Sequence, residues 1–547
     1  MDRNRSLIRI EAWPLDSITA AGLDIIVLFC SGYSELSAIS YSGRSFLDFI
    51  IDGQNSLAGD SVYSVENDGE GAFCWTRPRF KLHRPDGKRY LTLHLGRPQG
   101  AELNVAGSTI EQRIDAGWYW YSIDLGAEAQ TELELVIDRF DAGPAESREL
   151  GVMLRAALWH DSAERHAQIE RVRANSILNE AEYRSGAVVL KSVPPLLRLS
   201  IEVRCNIASN QACVYCSWKG VKRDEIGSPD FDLSLLRTLD PYWSAAREVN
   251  DCSFGEPPMH AEFAEIVDLI ATEERAFSFT TNGKMMGPKI RKALLGRNVL
   301  VYISIDSATS AGFARYRDRS FDRIIRDLRV LCAEKKQHRN LPYVTVSFIV
   351  MNSNKHEIRD YLALMRSVGV DQVKLRNLDH ENTMEFDGPV QQRGDFVFDY
   401  AREQVATDEL AVIAREAQQA AAEFGIKLYI DWLDFEAAPV PGLPLCAEPW
   451  RSLYAFQRGF FPCSFGRKPI AGWSEQGNRS AQEFFEAVRN GPQLQEMRRA
   501  LARGVFPNYC KAALGCPIVN RASADGTSPA LKTTPEIIDD KPEALVR

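Results

Sequence analysis

The sequence has no long apolar run, no secretion signal and no excess of positive charge. No segment of the 547 residues contains 18 consecutive apolar residues, so no membrane span is predicted. The first residues, MDRNRSLIRIEAWPLD, lack the layout of a signal peptide. The 65 Lys and Arg residues are outnumbered by 74 Asp and Glu residues, giving a net charge of −9, which argues against nucleic acid as the main partner. These absences predict a soluble, cytoplasmic protein.

The sequence does contain 11 cysteines, and 45% of its residues are hydrophobic. A chain of this length is expected to form three or four domains with sizeable cores. Cysteines in a chain without a secretion signal indicate metal or redox chemistry more than a disulfide framework. We interpret Cys30, Cys74 and Cys332 as core residues, and the other eight as candidates for chemistry.

Three of these candidates, Cys205, Cys213 and Cys216, lie within 12 residues, directly after a predicted strand over 196–203. Seven residues separate the first two and two residues separate the last two. A loop that leaves a strand can place three thiolates around one metal centre. Structural zinc and all-cysteine iron-sulfur sites usually have four ligands, so three ligands leave a coordination position open. A zinc knuckle, or buried thiols of no chemical role, is the alternative interpretation.

The loop resembles the signature of the radical SAM enzymes, in which three and then two residues separate the cysteines and an aromatic residue, here Tyr215, precedes the last one. The first spacing is four residues longer in this chain. The resemblance implies a [4Fe-4S] cluster on the three thiols that binds S-adenosylmethionine. The segment SFGEP at 253–257 is similar to the family's Gly-Gly-Glu-Pro edge, with Phe254 in place of the first glycine. It implies that Gly255 and Glu256 hold the methionyl ammonium group.

Later segments agree with this resemblance in order and spacing. Asn282 belongs to a segment similar to the family's Thr-Asn-Gly turn, and Ser304 lies where the family often places a serine near the ribose. Asp306 is either a ribose or substrate ligand or a strand-end cap. Further strands are predicted to end near 253 and to cover 277–283, 301–306, 343–350 and 372–376, alternating with helical patterns. This alternation predicts an α/β fold, an incomplete (β/α)6 barrel, with its functional groups at the carboxyl ends of the strands.

A second group of cysteines is C-terminal. Cys446 and Cys463 are separated by sixteen residues, and Cys510 and Cys516 by five, with a predicted helix over 481–503 between the pairs. The group resembles the SPASM and twitch extensions that follow radical SAM cores. Four thiols imply one auxiliary [4Fe-4S] cluster, which is the twitch arrangement. A structural zinc site is the alternative.

The remaining sequence divides into predicted domains on either side of these motifs. Residues 1–158 read as a β-sandwich-like accessory domain, either a scaffold or a glycan-binding module. Residues 159–194 read as a helical connector, in which His160, His166 and Glu170 are interpreted as a solvated helix face. The barrel would occupy 195–435 and the cluster extension 436–520, and 521–547 is predicted to be a disordered tail.

The resemblance implies an enzyme that reductively cleaves S-adenosylmethionine with an electron from flavodoxin or ferredoxin. The resulting radical takes hydrogen from a substrate, predicted to be a sugar, a glycan or a related polar metabolite. Electron transfer to the auxiliary cluster gives oxidation, whereas hydrogen return from a thiol such as Cys252, the candidate catalytic residue, gives epimerisation. Maturation of a ribosomally made peptide is one alternative. A zinc-stabilised, non-catalytic glycan-binding protein is another.

Overall fold

The computed structural model describes residues 50–51, 62–67, 72–126, 131–143, 146–202, 204–207, 213–216, 233–253, 255–272, 274–338, 341–378, 390–434, 442–456, 459–463, 469–511, 516 and 518–519. The interpretations of Cys30, Phe254, residues 208–212 and the tail 521–547 lie outside these residues. The described residues up to His166 form one compact unit, and those from Ala167 onward form another. No described helix has the length and apolar character needed to cross a bilayer.

The first unit contains ten strands and the start of one long helix. These elements are β1 (Ile50–Ile51), β2 (Val62–Asn67), β3 (Ala72–Thr76), β4 (Arg79–His83), β5 (Tyr90–Arg97), β6 (Ala101–Val105), β7 (Glu111–Ile114), β8 (Gly117–Asp124), β9 (Glu132–Ile137), β10 (Met153–His160) and α1 (Ala163–Arg184). The strands form two sheets, with orders β2-β3-β10-β5-β8, where β1 pairs with β10, and β4-β9-β6-β7.

One hydrophobic core lies between these two sheets. Alternate residues of β9, Leu133, Leu135 and Ile137, are buried in it together with leucines of β5 from the other sheet. This period of two is the pattern of a strand with one face on a core. Cys74 is also in this core, as predicted.

The interpretation of His160 as part of a solvated helix face is wrong. His160 is the last residue of β10, and α1 begins three residues later. Its imidazole is buried, lies 2.9 Å from the hydroxyl of Thr92 and stacks on the ring of Tyr90. Burial and nearby positive charge lower the pKa of His160 to about 4.

The second unit alternates strands and helices. Its strands are β11 (Leu196–Leu199), β12 (Glu248–Asp251), β13 (Ala276–Thr281), β14 (Val299–Ser304), β15 (Tyr343–Val350), β16 (Gln372–Asn377), β17 (Val390–Arg393), β18 (Phe396–Asp399), β19 (Lys427–Ile430), β20 (Ser452–Phe456) and β21 (Gly459–Phe461). Its α-helices are α2 (Leu233–Thr238), α3 (Asp240–Trp243), α4 (Phe263–Ile270), α5 (Pro288–Leu294), α6 (Ser310–Tyr316), α7 (Phe321–Glu334), α8 (Ile358–Val368), α9 (Tyr400–Glu403), α10 (Thr407–Phe424), α11 (Asp431–Asp434), α12 (Glu448–Arg451), α13 (Ala481–Arg489), α14 (Pro492–Ala502) and α15 (Asn508–Lys511).

Nine of these strands form one sheet in the order β19-β16-β15-β14-β13-β12-β11-β20-β21. All neighbours are parallel except the last pair, β20 and β21. The six strands β11 to β16 follow one another in space as in sequence, with helices between most of them, as the alternating pattern predicted. The fold of this unit is therefore mixed α/β with a large parallel sheet.

The two faces of this sheet differ in chemistry. One face is apolar and packs against residues of α4, α7, α8 and α10 in the largest core. The opposite face carries Tyr454, Arg198, Asn250 and Ser278 side by side on four neighbouring strands, because these residues share one register level. We call this second surface the polar face. Such a polar face is unusual in a parallel sheet, because parallel sheets usually bury apolar residues on both sides.

Glycine and proline explain where several helices end. Gly369 and Gly425 adopt the left-handed conformation at the ends of α8 and α10, which residues with a side chain rarely adopt. The single helix predicted over 481–503 is wrong, because Gly491 and Pro492 divide it into α13 and α14. Proline fits the first turn of α14 and would break a continuing helix. Cys332 is buried in α7, as predicted.

Candidate functional site

The three cysteines of the first loop lie at the carboxyl ends of the parallel strands. The amide of Cys216 donates to the carbonyl of Cys213 at 3.0 Å, which places both thiols on one turn. The amide of Val214, the residue after Cys213, donates to the carbonyl of Tyr316 at 3.0 Å and so fixes this turn to the end of α6. Cys205 accepts a hydrogen bond from Asn282 Nδ2, with 3.8 Å between nitrogen and sulfur. None of these three described cysteines forms a disulfide bond.

The electrostatics of this turn depend on burial and on one guanidinium. Burial raises the pKa of Cys213 to about 12 and also raises that of Cys205, and the charges of the neighbouring thiols add to the rise at Cys213. The positive charge of Arg317 acts in the opposite direction on both. Among the residues that the structure describes, no three His, Cys, Asp or Glu side chains are close enough to hold a metal ion. The thiols are thus neighbours, but they do not form a coordination sphere.

Asp306 joins this turn to the sheet. Its carboxylate has no exposed surface and accepts hydrogen bonds from the hydroxyl of Tyr215, from Arg317 Nε at 2.7 Å and from the amide of Ile349 at 2.9 Å. Tyr215 is the aromatic residue before the last cysteine of the loop. With three donors on its two oxygens, Asp306 positions the cysteine turn. A contact of Asp306 with a ribose or substrate stays a prediction.

Glu256 connects the ends of β12 and β13. It is 1% exposed, and its carboxylate accepts hydrogen bonds from the amide of Asn282 at 2.8 Å and from the hydroxyl of Thr281. Burial raises the pKa of Glu256 to about 7. Asn282 in turn donates to Cys205 and to Asn206 Oδ1. A short chain of contacts therefore runs from the predicted cofactor edge to the predicted metal ligand.

Two further predicted residues lie along the same edge. Gly255 is half-buried and directly precedes Glu256. Ser304, the last residue of β14, is half-buried, and its hydroxyl lies 3.4 Å from that of Ser347 on β15. All the predicted cofactor-binding residues thus lie where the strands end, which is where ligands bind in sheets of this kind.

A hairpin that the sequence did not predict covers the cysteine turn. It consists of β17 and β18, and its ring of Phe398 meets that of Tyr215 edge-on at 6.3 Å. Phe396 packs in the same way against Tyr316 at 5.4 Å. The two aromatic residues belong to one apolar cluster with Val214. Apolar side chains therefore shield the turn that carries Cys213 and Cys216.

Cys252 belongs to a hydrogen-bonded network on the polar face. Its Sγ lies 2.7 Å from Asn250 Oδ1, which also accepts from Arg198 Nη1 at 2.8 Å. Asn250 Nδ2 donates to the hydroxyl of Ser278 at 2.6 Å, and that hydroxyl donates to Glu248. Burial raises the pKa of Cys252 to about 12. Hydrogen return from this thiol stays a prediction.

The four C-terminal cysteines also lie near one another. Cys446 precedes α12, Cys463 follows β21, and Cys510 lies in α15. The negative charges of Cys463 and Cys516 raise the pKa of Cys446 further above the value set by its burial, and Cys516 acts in the same way on Cys510. Three of the four thiols pack against the apolar cluster around the fully buried Trp450.

Sequence reasoning missed two basic residues near the cysteine loop. Arg317 pairs with Asp306, and the ammonium of Lys284 donates to the carbonyl of Asn206 at 3.2 Å and to Asp318 at 2.8 Å. Lys284 follows the predicted turn at Asn282 by two residues, so its position was a usable signal. Arg317 follows α6 in a segment with no motif, and only the fold brings it to the thiols.

Comparison with known proteins gives distant likenesses. No protein-family model matches the chain. The tungsten-containing aldehyde ferredoxin oxidoreductase cofactor-modifying protein of Pyrococcus furiosus is 25% identical over 206 residues, which are 36% of this chain and 56% of that protein. The chain thus matches little more than half the length of this curated relative.

Several solved structures are similar over part of the chain. SuiB of Streptococcus suis, bound to the precursor peptide SuiA, matches at a TM-score of 0.43 and 11% identity, over 62% of this chain and 73% of that one. The anSMEcpe protein with bound AdoMet matches at 0.36 and 12% identity, over 60% and 97% of the two chains. A radical SAM methyltransferase from Sphaerobacter thermophilus matches at 0.29 and 14% identity, over 42% and 64%.

Proposed function

We propose that this chain is a radical SAM enzyme that acts on a polar small molecule, predicted to be a sugar or a related metabolite. The observation that carries the proposal is the contact chain from Glu256 through Asn282 to Cys205. It brings the predicted edge for S-adenosylmethionine and the predicted cluster loop together at the ends of parallel strands. Two segments more than 40 residues apart in sequence are thus linked through Asn282, which supports the proposal.

The residues of the loop fit a [4Fe-4S] cluster in their chemistry. Cys205, Cys213 and Cys216 supply three soft sulfur donors, and the charge of Arg317 favours the thiolate forms of Cys205 and Cys213. A bound cluster with S-adenosylmethionine supplies the 5′-deoxyadenosyl radical. The chain's own residues position this chemistry: Asp306 holds the cysteine turn through Tyr215, and the hairpin excludes water from it.

Glu256 and Gly255 would receive the methionyl ammonium group. The carboxylate of Glu256 is already oriented by two donors from the end of β13, so it is held in place before a ligand arrives. An ammonium group beside a buried carboxylate favours the ionised carboxylate. Ser304 ends β14, two strands from β12 on the same edge of the sheet, and would contact the ribose.

The polar face supports a polar substrate. Arg198 is 5% exposed and forms hydrogen bonds with Asn250 on the neighbouring strand. Burying a guanidinium costs free energy unless it is paired. A buried guanidinium on this face suits a polar substrate, because an apolar substrate would not need a charged group nearby. The name of the Pyrococcus relative describes modification of an enzyme cofactor, which is consistent with a small-molecule substrate.

The fate of the substrate radical depends on Cys252 and on the C-terminal cysteines. Cys252 contacts Asn250 of the polar face, and hydrogen return from its thiol would give epimerisation. Cys446, Cys463, Cys510 and Cys516 fit one auxiliary [4Fe-4S] cluster of the twitch type, which would accept an electron and give oxidation. We favour a small-molecule substrate, whether it is oxidised or epimerised, over maturation of a peptide, because the N-terminal domain is predicted to be β-rich. We place this accessory domain at 1–158, the connector at 159–194, the barrel at 195–435 and the cluster extension at 436–520.

The test is iron and sulfide content with electron paramagnetic resonance on anaerobically purified, reduced protein. Wild-type protein should contain about eight irons, the sum of two four-iron clusters, and one signal should change when S-adenosylmethionine is added. Replacing Cys205, Cys213 and Cys216 by Ala should remove about half of the iron and the responsive signal. The control is Cys332→Ala, which removes a buried thiol of α7 and should leave both unchanged.

Zinc without iron, or a spectrum indifferent to S-adenosylmethionine, would exclude the enzyme and favour the zinc-stabilised binding protein. Product analysis then separates the remaining alternatives. An oxidised or inverted small molecule supports the proposal, and a crosslinked or otherwise altered peptide supports peptide maturation.

A further inference from the structure

The polar face carries a buried carboxylate that the proposed function does not use. Glu248 is the first residue of β12, and Asn250 and Cys252 follow at intervals of two, so all three lie on this face. Glu248 is 2% exposed. One of its carboxylate oxygens accepts from the hydroxyl of Ser278, and the other has no hydrogen-bond partner among the residues that the structure describes. A buried carboxylate with an unpaired oxygen costs free energy, so its presence in the fold needs an explanation.

A network of hydrogen bonds connects this carboxylate to the thiol of Cys252. The hydroxyl of Ser278 donates to Glu248 and accepts from Asn250 Nδ2 at 2.6 Å. Asn250 Oδ1 lies 2.7 Å from the Sγ of Cys252. Ser278 is fully buried on β13, whereas Asn250 and Cys252 are half-buried. The network thus runs from the interior of the sheet to the thiol at the end of β12.

Each group in the network fixes the orientation of the next one. An ionised carboxylate accepts hydrogen bonds and donates none, so Ser278 directs its hydroxyl hydrogen to Glu248 and a lone pair to Asn250. The amide of Asn250 therefore presents its NH2 group to Ser278 and its oxygen to Cys252. Arg198 Nη1 donates to the same oxygen at 2.8 Å, and a reversed amide would place its NH2 group against this guanidinium. The thiol can therefore donate its hydrogen to Asn250 Oδ1.

We infer that Glu248 is a positioning residue, which holds the thiol of Cys252 in one orientation through Ser278 and Asn250. The inference rests on the proposed function, because this orientation matters only if the thiol returns hydrogen to a substrate radical. In that step the S–H bond breaks and a C–H bond forms, so one hydrogen atom moves and a thiyl radical remains. One electron from a reduced iron-sulfur protein and one proton from water restore the thiol. A thiol held in one orientation returns hydrogen to one face of the radical, as inversion of a carbon centre requires.

The experiment measures the infrared S–H stretching band of Cys252 in the anaerobically purified, full-length protein. For each protein, subtracting the spectrum of its Cys252→Ala form isolates this band from those of the other cysteines. The test variant is Ser278→Ala, which breaks the network between Glu248 and Asn250, and Ser278→Thr restores a hydroxyl. Glu248→Gln is the second variant, because it keeps the shape of the side chain and removes its charge. The matched control is Ser347→Ala on β15, where the hydroxyl belongs to a different contact.

We expect one narrow band in the wild type. The band should shift to higher frequency and broaden in Ser278→Ala, because a thiol whose acceptor is no longer fixed forms a weaker hydrogen bond. Glu248→Gln should shift it in the same direction, and this variant decides the test if Ser278→Ala does not fold. The band should stay in place in Ser278→Thr and Ser347→Ala.

Three results would overturn the inference. They are an unmoved band in Ser278→Ala and Glu248→Gln, an equal shift in Ser347→Ala, and the absence of a band that Cys252→Ala removes. The proposed function is tested separately. Absence of iron, or of a response to S-adenosylmethionine, would overturn that function and would leave the S–H band as it is.

Discussion

Arg498 provides the sharpest test of how the C-terminal segment is held. Its guanidinium is 1% exposed and donates to three backbone carbonyls, those of Pro449 at 2.9 Å, Val188 at 3.0 Å and Arg489 at 2.9 Å. It thereby ties α14 to α12 and to the segment before β11. Burial lowers the pKa of Arg498 to about 10, which reflects the cost of holding a charge there.

Replacing Arg498 by Met should destabilise this region by about 2–4 kcal/mol. Each buried carbonyl left without a donor costs about 1–3 kcal/mol of stability, and the variant leaves three carbonyls without their donor. Part of it is offset, because the variant no longer buries a charge and no longer repels the neighbouring guanidinium of Arg489. The adjacent Arg499 is the control. It is exposed and donates to Gln495, so Arg499→Met should change stability by less than about 0.5 kcal/mol.

The assay is hydrogen exchange of peptides covering β20 and α14 in the iron-free, full-length protein, so that cluster binding does not contribute. Arg498→Met should accelerate exchange there on the order of 30- to 1000-fold, the equivalent of about 2–4 kcal/mol. The strands of the first unit should be unaffected. Equal protection in the two variants would show that the three carbonyl contacts are not what holds α12, and the reasoning would fail.

Three further predictions concern single positions. Gly151→Ala should destabilise the first unit by about 1–3 kcal/mol in urea unfolding, because its Cβ would lie 2.5 Å from the carbonyl of Arg77; unchanged stability would contradict this packing. The folded-state pKa of His160, about 4, lies below the usual 6.5, so the unfolded chain binds the proton first. The stability that depends on neutral His160 is complete above pH 6.5 and is lost as the pH falls towards 4. Thermal melts of His160→Gln should lack this pH-dependent loss of stability. Arg317→Met should cost about 3–5 kcal/mol by leaving the buried Asp306 without its cation, and a second change, Asp306→Asn, should recover part of the loss in the same denaturation assay.

The sequence predicted six strands of the parallel sheet, β11 to β16, because their patterns are local. Each is a short apolar run between a helix pattern and a turn signal, and the strand over 343–350 is found with those bounds. Glycine and proline in the sequence also mark helix ends. Gly491 and Pro492 divide the segment that apolar periodicity alone predicted to be one continuous helix.

What the sequence did not reveal depends on contacts between distant segments. The pairing of Arg317 with Asp306 bridges 11 residues, and no pattern marks the arginine. The hairpin over the cysteine turn was also missed, because β17 and β18 have only four residues each. The predicted site residues were chosen for their motifs, and the structure adds how they are held. Asp306 and Glu256 both accept hydrogen bonds from residues at neighbouring strand ends.

The place of β20 in the sheet has a consequence for the order of folding. This strand pairs in parallel with β11, although about 250 residues lie between them in the chain. During synthesis β11 emerges early and keeps an unpaired edge until β20 has left the ribosome, and such edges promote aggregation. Pairing over so long a separation also slows folding. A fragment ending before residue 442, although it would contain every residue of the first cysteine loop and the strands from β11 to β19, should therefore express poorly, because β20, made after all of them, covers the edge of the first strand of the sheet.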